Sequence, residues 1–250
     1  ISKGEFEMLG KCRFLLLTVI IVLLCSPANA AQDSFFSDPV DITIDDGIYD
    51  GTLGSMVGDV IDTSATIPAG STINDVIVEL SISHSWVGDL IIKLVSPDGT
   101  VLTLMSRPGC DEPADDGGSG GLGDTSNLDG TPITFSDPPT GVTDAEDMGS
   151  TIAGGLSVCA DDVFCFYFPN PGAGPGTNFS DFAGEDPSGL WTLYVGDSTP
   201  ADTGTLESWT LIVAYDEPVA AAIPTLSEWG MIIMSLMMAG SACWMIRRRT

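Results

Sequence analysis

The chain has 250 residues, of which 35 are acidic and 8 are basic, and its formal net charge is −27. Between residues 31 and 222, Lys93 and Arg107 are the only basic residues. This balance argues against binding to nucleic acid or to anionic membrane surfaces, because both need a basic footprint on the protein. It is typical of a solubilising surface and permits a cationic partner. The length accommodates one folded domain with targeting segments, without a protease domain of ordinary size beside them.

The first 30 residues predict an export signal. After seven residues without a pattern, two basic residues precede an uninterrupted apolar run over residues 14–24. Ala28 and Ala30 then form a small-x-small site, so cleavage is expected before Ala31. Residues 1–30 are therefore assigned to upstream residues and a secretory signal peptide.

The next part of the chain predicts short strands separated by turns. Residues 31–44 are expected to form an entry segment, and residues 45–215 the folded domain. Within that domain, residues 75–104 predict a β-meander of three strands. Apolar residues alternate along the first strand: Val76, Val78, Leu80 and Ile82. The alternation returns in residues 90–94 and 102–104, so one buried face is expected along all three strands.

Turns and long loops divide the remaining strands. Pro97 and Gly99 predict a tight hairpin turn between the second and third strands. Three Gly-rich, acidic stretches predict loops over residues 109–130, 137–155 and 169–176.

Two later apolar runs each begin with a tryptophan. Trp191 and Trp209 alternate in phase with the apolar residues of their runs, so they are predicted to lie in the core rather than to form a sugar-binding platform. Trp86, which falls in a loop, is the one tryptophan of the domain expected to be exposed.

Three cysteines lie in the predicted domain: Cys110, Cys159 and Cys165. In an oxidising compartment they can form one disulfide and leave one thiol. A bridge from Cys110 to Cys159 is predicted, since it would tie the long loop to a later strand. A short bridge between Cys159 and Cys165 is the alternative.

The C-terminus has three parts after a linker at residues 216–222. The first part of residues 223–250 is the motif Ile223, Pro224, Thr225, Leu226, Ser227, Glu228, Trp229 and Gly230. An apolar run follows, and the third part is the cluster Arg247, Arg248 and Arg249. A helix from Trp229 to Ile246 would be about 27 Å long at about 1.5 Å per residue, near the roughly 30 Å of a hydrocarbon core. The pattern predicts a short transmembrane helix with its arginines in the cytoplasm and the domain outside.

Four short motifs carry a resemblance to a known family: Ile82-Ser83-His84, Gly88-Asp89-Leu90, Leu94-Val95-Ser96-Pro97 and the stretch from Gly184 to Trp191. Together they resemble the P domain (P/Homo B) of proprotein convertases. The resemblance implies an all-β fold, a jelly-roll-like β-sandwich, which usually follows a subtilisin-like catalytic domain. The C-terminal tail resembles the IPTL-CTERM protein-sorting domain of Gram-negative bacteria. That resemblance implies recognition by an exosortase-like membrane enzyme, and a plain membrane anchor is the alternative.

Catalytic chemistry finds little support in the residues. His84 is the only histidine, so a Ser-His-Asp triad would have to use it. It ends an alternating strand, at a position that the P-domain pattern also fills with histidine, and a structural role is predicted. No nucleophile elbow, phosphate-binding loop or zinc-ligand spacing occurs in the sequence. The chain is therefore not expected to be an enzyme.

Calcium binding is a second hypothesis, because Ca²⁺ takes oxygen ligands from clustered carboxylates and loop carbonyls. The candidate ligands lie in the family motifs and in the long loop: Asp89, Asp186, Asp115, Asp116, Asp124 and Asp129. None has EF-hand spacing, and Asp with Gly also forms ordinary turns.

The sequence thus predicts an exported, non-catalytic P-domain protein that is sorted to the envelope or surface of a Gram-negative cell. Its expected partners are an exosortase-like enzyme and, before processing, the inner membrane. One alternative is an accessory domain for a subtilisin-like protease encoded elsewhere. Another is a calcium-dependent module for adhesion or for binding a surface polysaccharide.

Overall fold

The computed structural model describes residues 30–37, 40–118, 122–218 and 226–247. Two compact units divide between Pro218 and Val219. The predicted signal peptide up to residue 29, including Ala28, lies outside the described residues, as do Ile223, Pro224, Thr225, Arg248 and Arg249.

The described part of the first unit contains twelve strands in two sheets. Their bounds are β1 (Ala30–Ser37), β2 (Ile42–Thr43), β3 (Val57–Asp62), β4 (Thr72–His84), β5 (Leu90–Val95), β6 (Val101–Ser106), β7 (Leu128–Asp129), β8 (Ile133–Phe135), β9 (Thr143–Asp144), β10 (Phe166–Phe168), β11 (Leu190–Asp197) and β12 (Gly204–Asp216). The larger sheet has the order β1-β12-β4-β8-β10-β9, with β2 paired to β12 and β7 to β4. The smaller sheet has the order β3-β11-β5-β6. The predicted mostly-β, sandwich-like fold is confirmed.

The larger sheet is built on the antiparallel pair β4 and β12. These strands pair from Thr72 opposite Asp216 to His84 opposite Gly204. β1 pairs with the other edge of β12 along its whole length, beginning with Ala30 opposite Asp216. The predicted entry segment thus contributes strands to the main sheet. The first strand of the domain, β1, lies beside its last strand, β12.

The predicted meander over residues 75–104 is wrong in its first connection. β4 already pairs with β12 on one edge and with β7 and β8 on the other, so neither edge is left for β5. A 3-10 turn at Val87–Asp89 instead carries the chain into the smaller sheet. The hairpin of β5 and β6 is confirmed, with Gly99 at φ 89° and its N–H bonded to the carbonyl of Ser96.

The core lies between the two sheets and follows the predicted alternation. The apolar positions of β4 are fully buried: Val76, Val78, Leu80 and Ile82. Trp191 and Trp209 are 0% and 1% exposed, so their predicted place in the core is confirmed. The ring of Trp191 meets Phe182 edge-on at 5.3 Å between centroids, and its indole N–H donates to the carbonyl of Pro187. Such rings contribute both apolar area and preferred geometry to the core.

A second, smaller core covers the outer face of the smaller sheet. Tyr49, Met56 and Ile91 are buried there. The segment that carries Tyr49 touches the long loop backbone to backbone, and a Cβ at Gly51 would lie 2.1 Å from the carbonyl oxygen of Asp115. Gly51 also has a φ of 91°, which favours glycine. The long loop is therefore packed against the domain.

The predicted disulfide between Cys110 and Cys159 is wrong. The bridge joins Cys159 to Cys165, whose Cα atoms lie 4.8 Å apart, and Cys110 is a buried thiol. The Asp162 carboxylate holds the turn between the paired cysteines by accepting the N–H groups of Cys159 and Phe164. Local turn chemistry, which spacing alone does not reveal, places the two sulfurs together.

The second unit contains one described helix, α1 (Leu226–Arg247). Its apolar side chains are exposed where they are described, and Trp229 is 51% exposed. Within the described residues, no helix combines the length and the apolar character needed to cross a membrane. The predicted helix is thus present, and its predicted span of the membrane is not confirmed.

We expect the double change of Cys159 and Cys165 to serine to lower the free energy of unfolding by about 2 kcal/mol, the size expected for closing a short loop. Urea unfolding of oxidised protein would measure it. Cys110→Ala is the matched control, and its intact mass should still show one disulfide. A loss of the disulfide in Cys110→Ala would contradict the assignment.

Candidate functional site

Lys93 lies in the middle of β5 and is only 2% exposed. Its Nζ lies 2.6 Å from Asp115 Oδ2 and 2.6 Å from the hydroxyl oxygen of Tyr49. The Tyr49 hydroxyl donates in turn to Asp115 Oδ1, and the ammonium lies 5.1 Å from the centre of the tyrosine ring. Burial, followed by the bond to Asp115, raises the pKa of Tyr49, so this phenol remains a donor. Asp115 neutralises the buried Lys93 ammonium, and the contacts among the three side chains attach the long loop to the sheet.

Arg107 follows β6 and is 1% exposed. Its Nη1 donates to the carbonyl of Gly118 at 2.7 Å and lies 3.7 Å from Glu112 Oε1. The two basic residues between residues 31 and 222 therefore contact the same stretch, residues 110–118, which we call the clamped loop. A negatively charged loop is held down by the two cations that the domain possesses.

His84 ends β4 in a buried polar network. Its Nε2 lies 3.1 Å from Asp197 Oδ2, and both side chains are fully buried. Its Nδ1 lies 2.8 Å from the carbonyl oxygen of Trp86. The nearby hydroxyls are bonded elsewhere, that of Ser85 to Asp202 and that of Ser198 to the carbonyl of Asp89. Since both ring nitrogens have partners within the fold, the arrangement fits a structural histidine.

An acidic cleft of ≈ 490 Å³ opens beside the clamped loop. Its lining includes Cys110, Glu112, Glu146 and Asp147. Glu146 accepts the N–H of Gly109 at 2.9 Å. Burial, followed by the negative charges of neighbouring carboxylates, raises the pKa of Glu146 to about 7. Burial also raises the pKa of Glu112, against the opposing effects of the Ser106 hydroxyl and Arg107. The cleft can therefore bind protons near neutral pH.

The six predicted calcium ligands do not form one site. Four of them accept hydrogen bonds from main-chain N–H groups: Asp186 from Gly70 and Ser188, Asp116 from Gly118, Asp124 from Ser126, and Asp129 from Thr131. Asp115 pairs with Lys93, and Asp89 is buried near Asp197, where burial first and then that charge raise its pKa to about 6. Among the described residues, no three His, Cys, Asp or Glu side chains are grouped as metal ligands. These carboxylates do not fit a shared Ca²⁺ ion, and calcium binding stays a prediction.

The other predicted site residues are spread over the ends of the chain. Ala30 begins β1, and the predicted cleavage before Ala31 stays a prediction. Leu226 and Ser227 lie in the first turn of α1, and Arg247 is its last residue. Trp86 is partly exposed, and its indole N–H donates to the carbonyl of Leu122.

Sequence reasoning missed four residues that shape these networks: Tyr49, Glu112, Glu146 and Asp197. None lies in a motif. The partners of Tyr49, Glu146 and Asp197 are distant in sequence, whereas Glu112 contacts the nearby Ser106 and Arg107. The scarcity of basic residues was the one available signal. A lone lysine in an apolar strand needs a counter-ion if that strand is buried on both faces.

Family models match two parts of the chain. The model described as the proprotein convertase P-domain matches residues 73–122 and 175–213, and the IPTL-CTERM motif matches residues 221–249. Both matches are to the families that the sequence was predicted to resemble. No curated protein matches the chain.

The solved structures that are similar to it include two of a serine protease from Aeromonas sobria. In complex with its chaperone, the protease has 16% identity and a TM-score of 0.42, with 80% of this chain and 29% of the protease chain covered. The protease alone has 16% identity and a TM-score of 0.39, with 78% and 28% covered. The present chain spans less than a third of either protease chain.

We expect His84→Ala to lower the free energy of unfolding by about 3 kcal/mol, because it leaves Oδ2 of the buried Asp197 carboxylate without its partner. Chemical denaturation monitored by tryptophan fluorescence would measure the loss. Ser85→Ala, at the adjacent exposed position, is the control. It removes only exposed hydrogen bonds to Asp202 and Thr203 and should lower stability by no more than about 1 kcal/mol. Equal effects of the two changes would contradict a structural role for His84.

The raised pKa of Glu146 predicts a pH dependence of stability. The folded state holds the Glu146 proton more tightly, so this contribution is complete below the ordinary pKa of 4.5 and is lost as pH rises to about 7. Glu146→Gln should abolish it, and wild type should gain stability relative to this variant when unfolding is measured at pH 5 instead of pH 8. Asp98→Asn, in the exposed β5–β6 turn, is the control. A wild-type advantage that is the same at both pH values would refute the prediction.

Proposed function

We propose that the chain is an exported, non-catalytic P-domain module that reaches the cell envelope or surface after its C-terminal segment is removed. The observation that carries this proposal is the agreement between two boundaries. The IPTL-CTERM match covers residues 221–249, and the second compact unit begins at Val219. The last strand ends at Asp216, and Tyr215 is the last buried apolar residue of the domain. Removing the tail therefore takes away no described strand and no buried apolar residue of the domain.

The sorting segment has parts with different physical roles. Pro224 has no N–H to donate and disfavours helix at the residue before it, so an extended, accessible segment is proposed just ahead of α1, whose range of Leu226–Arg247 includes the rest of the motif. The exposed apolar side chains of α1, with Trp229 near its start, would hold the precursor at the membrane. The arginine cluster would stop the tail from crossing the membrane, and an exosortase-like enzyme would cut the chain ahead of α1.

The domain itself is proposed to bind or to stabilise a partner. Both ring nitrogens of its single histidine are engaged by Trp86 and Asp197, which leaves neither as a general base. A second candidate function is service as the accessory domain of a subtilisin-like protease encoded elsewhere. The P-domain match favours this candidate, because such domains usually accompany that catalytic domain.

The processing proposal can be tested with epitope tags before Ala220 and after Thr250, in a host with and without its exosortase. We expect the two tags to separate onto different bands only when the enzyme is present. Pro224→Ala should reduce the separation by at least about tenfold, while Pro218→Ala, a nearby proline outside the motif, should leave it unchanged. If both tags stay on one full-length band in the complete host, the segment is only an anchor.

A further inference from the structure

Residues 31–222 contain very few basic residues, and this limits the number of bonds at which a protease that recognises basic residues can cut. Lys93 and Arg107 are the only lysine and arginine between residues 31 and 222. An endopeptidase that cleaves after basic residues therefore meets two candidate bonds in about 190 residues. Each bond can be examined in its structural setting.

The bond after Arg107 is a poor substrate on local grounds. The next residue is Pro108, which lacks an N–H and constrains the residue before it. Arg107 itself has a φ of 46°, far from the extended conformation that a protease cleft requires. Its guanidinium is buried against Gly118 and Glu112. The following proline, the backbone conformation and burial therefore each protect this bond from cleavage.

The bond after Lys93 lies inside the smaller sheet. Lys93 is opposite Tyr194 of β11 on one side and Thr103 of β6 on the other. A protease binds its substrate as an extended segment whose main-chain groups are free to pair with the enzyme. Here those groups already pair within the sheet, so cleavage requires β5 to separate from both neighbours. Such an opening is close to global unfolding.

The side chain of Lys93 is protected from a protease separately from its main chain. A protease of this specificity must draw the ammonium into its own acidic pocket. The Lys93 Nζ is held by Asp115 and Tyr49, at 2.6 Å from each, beneath the clamped loop. The two barriers are independent, since one acts on the main chain and the other on the ammonium.

We infer that the fold protects from cleavage every bond in residues 31–222 that an endopeptidase of lysine or arginine specificity could cut. The folded domain therefore persists beside such enzymes outside the cell. The sheet is the decisive barrier, and the clamp around Lys93 is the second. This property goes beyond sorting and does not depend on it.

Limited proteolysis of the full chain with trypsin tests the inference. Bonds after the basic residues of both termini should be cut, which shows that the enzyme is active, while mass spectrometry should find residues 31–222 uncut. Cleavage after Lys93 should appear in urea together with the loss of tryptophan fluorescence. The matched control is Ala153→Lys, which places a lysine in the exposed turn at residues 153–156. It should be cut natively at least about 100-fold faster than the bond after Lys93, because that bond is open only in the rare unfolded fraction.

Two variants separate the barriers. Asp115→Ala, and the milder Tyr49→Phe, should make the Lys93 amine reactive to reductive methylation while the bond after Lys93 stays uncut in folded protein. Circular dichroism and near-native fluorescence would establish that each variant is folded, and Tyr49→Phe serves if Asp115→Ala is not. Rapid cleavage after Lys93 in a folded variant would show that the sheet is not the barrier. Native cleavage of the wild type after Lys93, as fast as at the control site, would overturn the inference altogether.

Discussion

The pairing of β4 with β12 is the interaction on which the rest of the domain depends. It joins Thr72 to Asp216 and His84 to Gly204, so the two longest strands close most of the chain into one loop. Closing so long a loop costs entropy that local contacts do not return, and such topologies fold slowly. The gain comes from the buried faces of both strands, where Val78 lies opposite Leu211. A chain of this design needs both strands to be present before its core can form.

The same pairing determines where the chain enters and leaves. Because β1 also lies against β12, Ala30 is opposite Asp216 at one end of the larger sheet. The predicted signal cleavage and the proposed sorting cleavage therefore act close to the same end. The opposite end of these strands carries His84 and Trp86, with the Asp197 carboxylate beside them. Modification of either terminus can proceed without disturbing that buried network.

Charge gives the domain its second constraint. With two cations and an acidic surface, an ordinary scatter of surface ion pairs is not available. Both cations are instead buried and are used on the clamped loop, where desolvation makes each pair matter more than an exposed pair would. The acidic cleft next to that loop follows from the same shortage, since Glu146 and Asp147 have no cation to neutralise them among the cleft's lining residues. Burial first, and then the negative charges of neighbouring carboxylates, raise the pKa of Glu146 to about 7, although the N–H of Gly109 opposes the shift.

The sequence by itself determined the features that depend on neighbouring residues. Alternation identified the buried face of β4 and the core positions of Trp191 and Trp209, and Pro97 with Gly99 identified the one tight hairpin, because side-chain direction and turn conformation are local properties. Short motifs were likewise enough to predict both resemblances from the sequence. The P-domain model matches residues 73–122 and 175–213, and the IPTL-CTERM motif matches the tail.

Only the tertiary structure decided the relations between distant residues. It placed β4 and β5 in different sheets, chose Cys165 over Cys110 as the partner of Cys159, and brought Asp115 and Tyr49 to Lys93. It also dispersed the aspartates that the sequence had grouped as calcium ligands. Periodicity states which face of a strand is buried, but not which strand lies beside it. That choice is made by the packing of the whole chain, in which each edge of a strand accepts one partner at a given position.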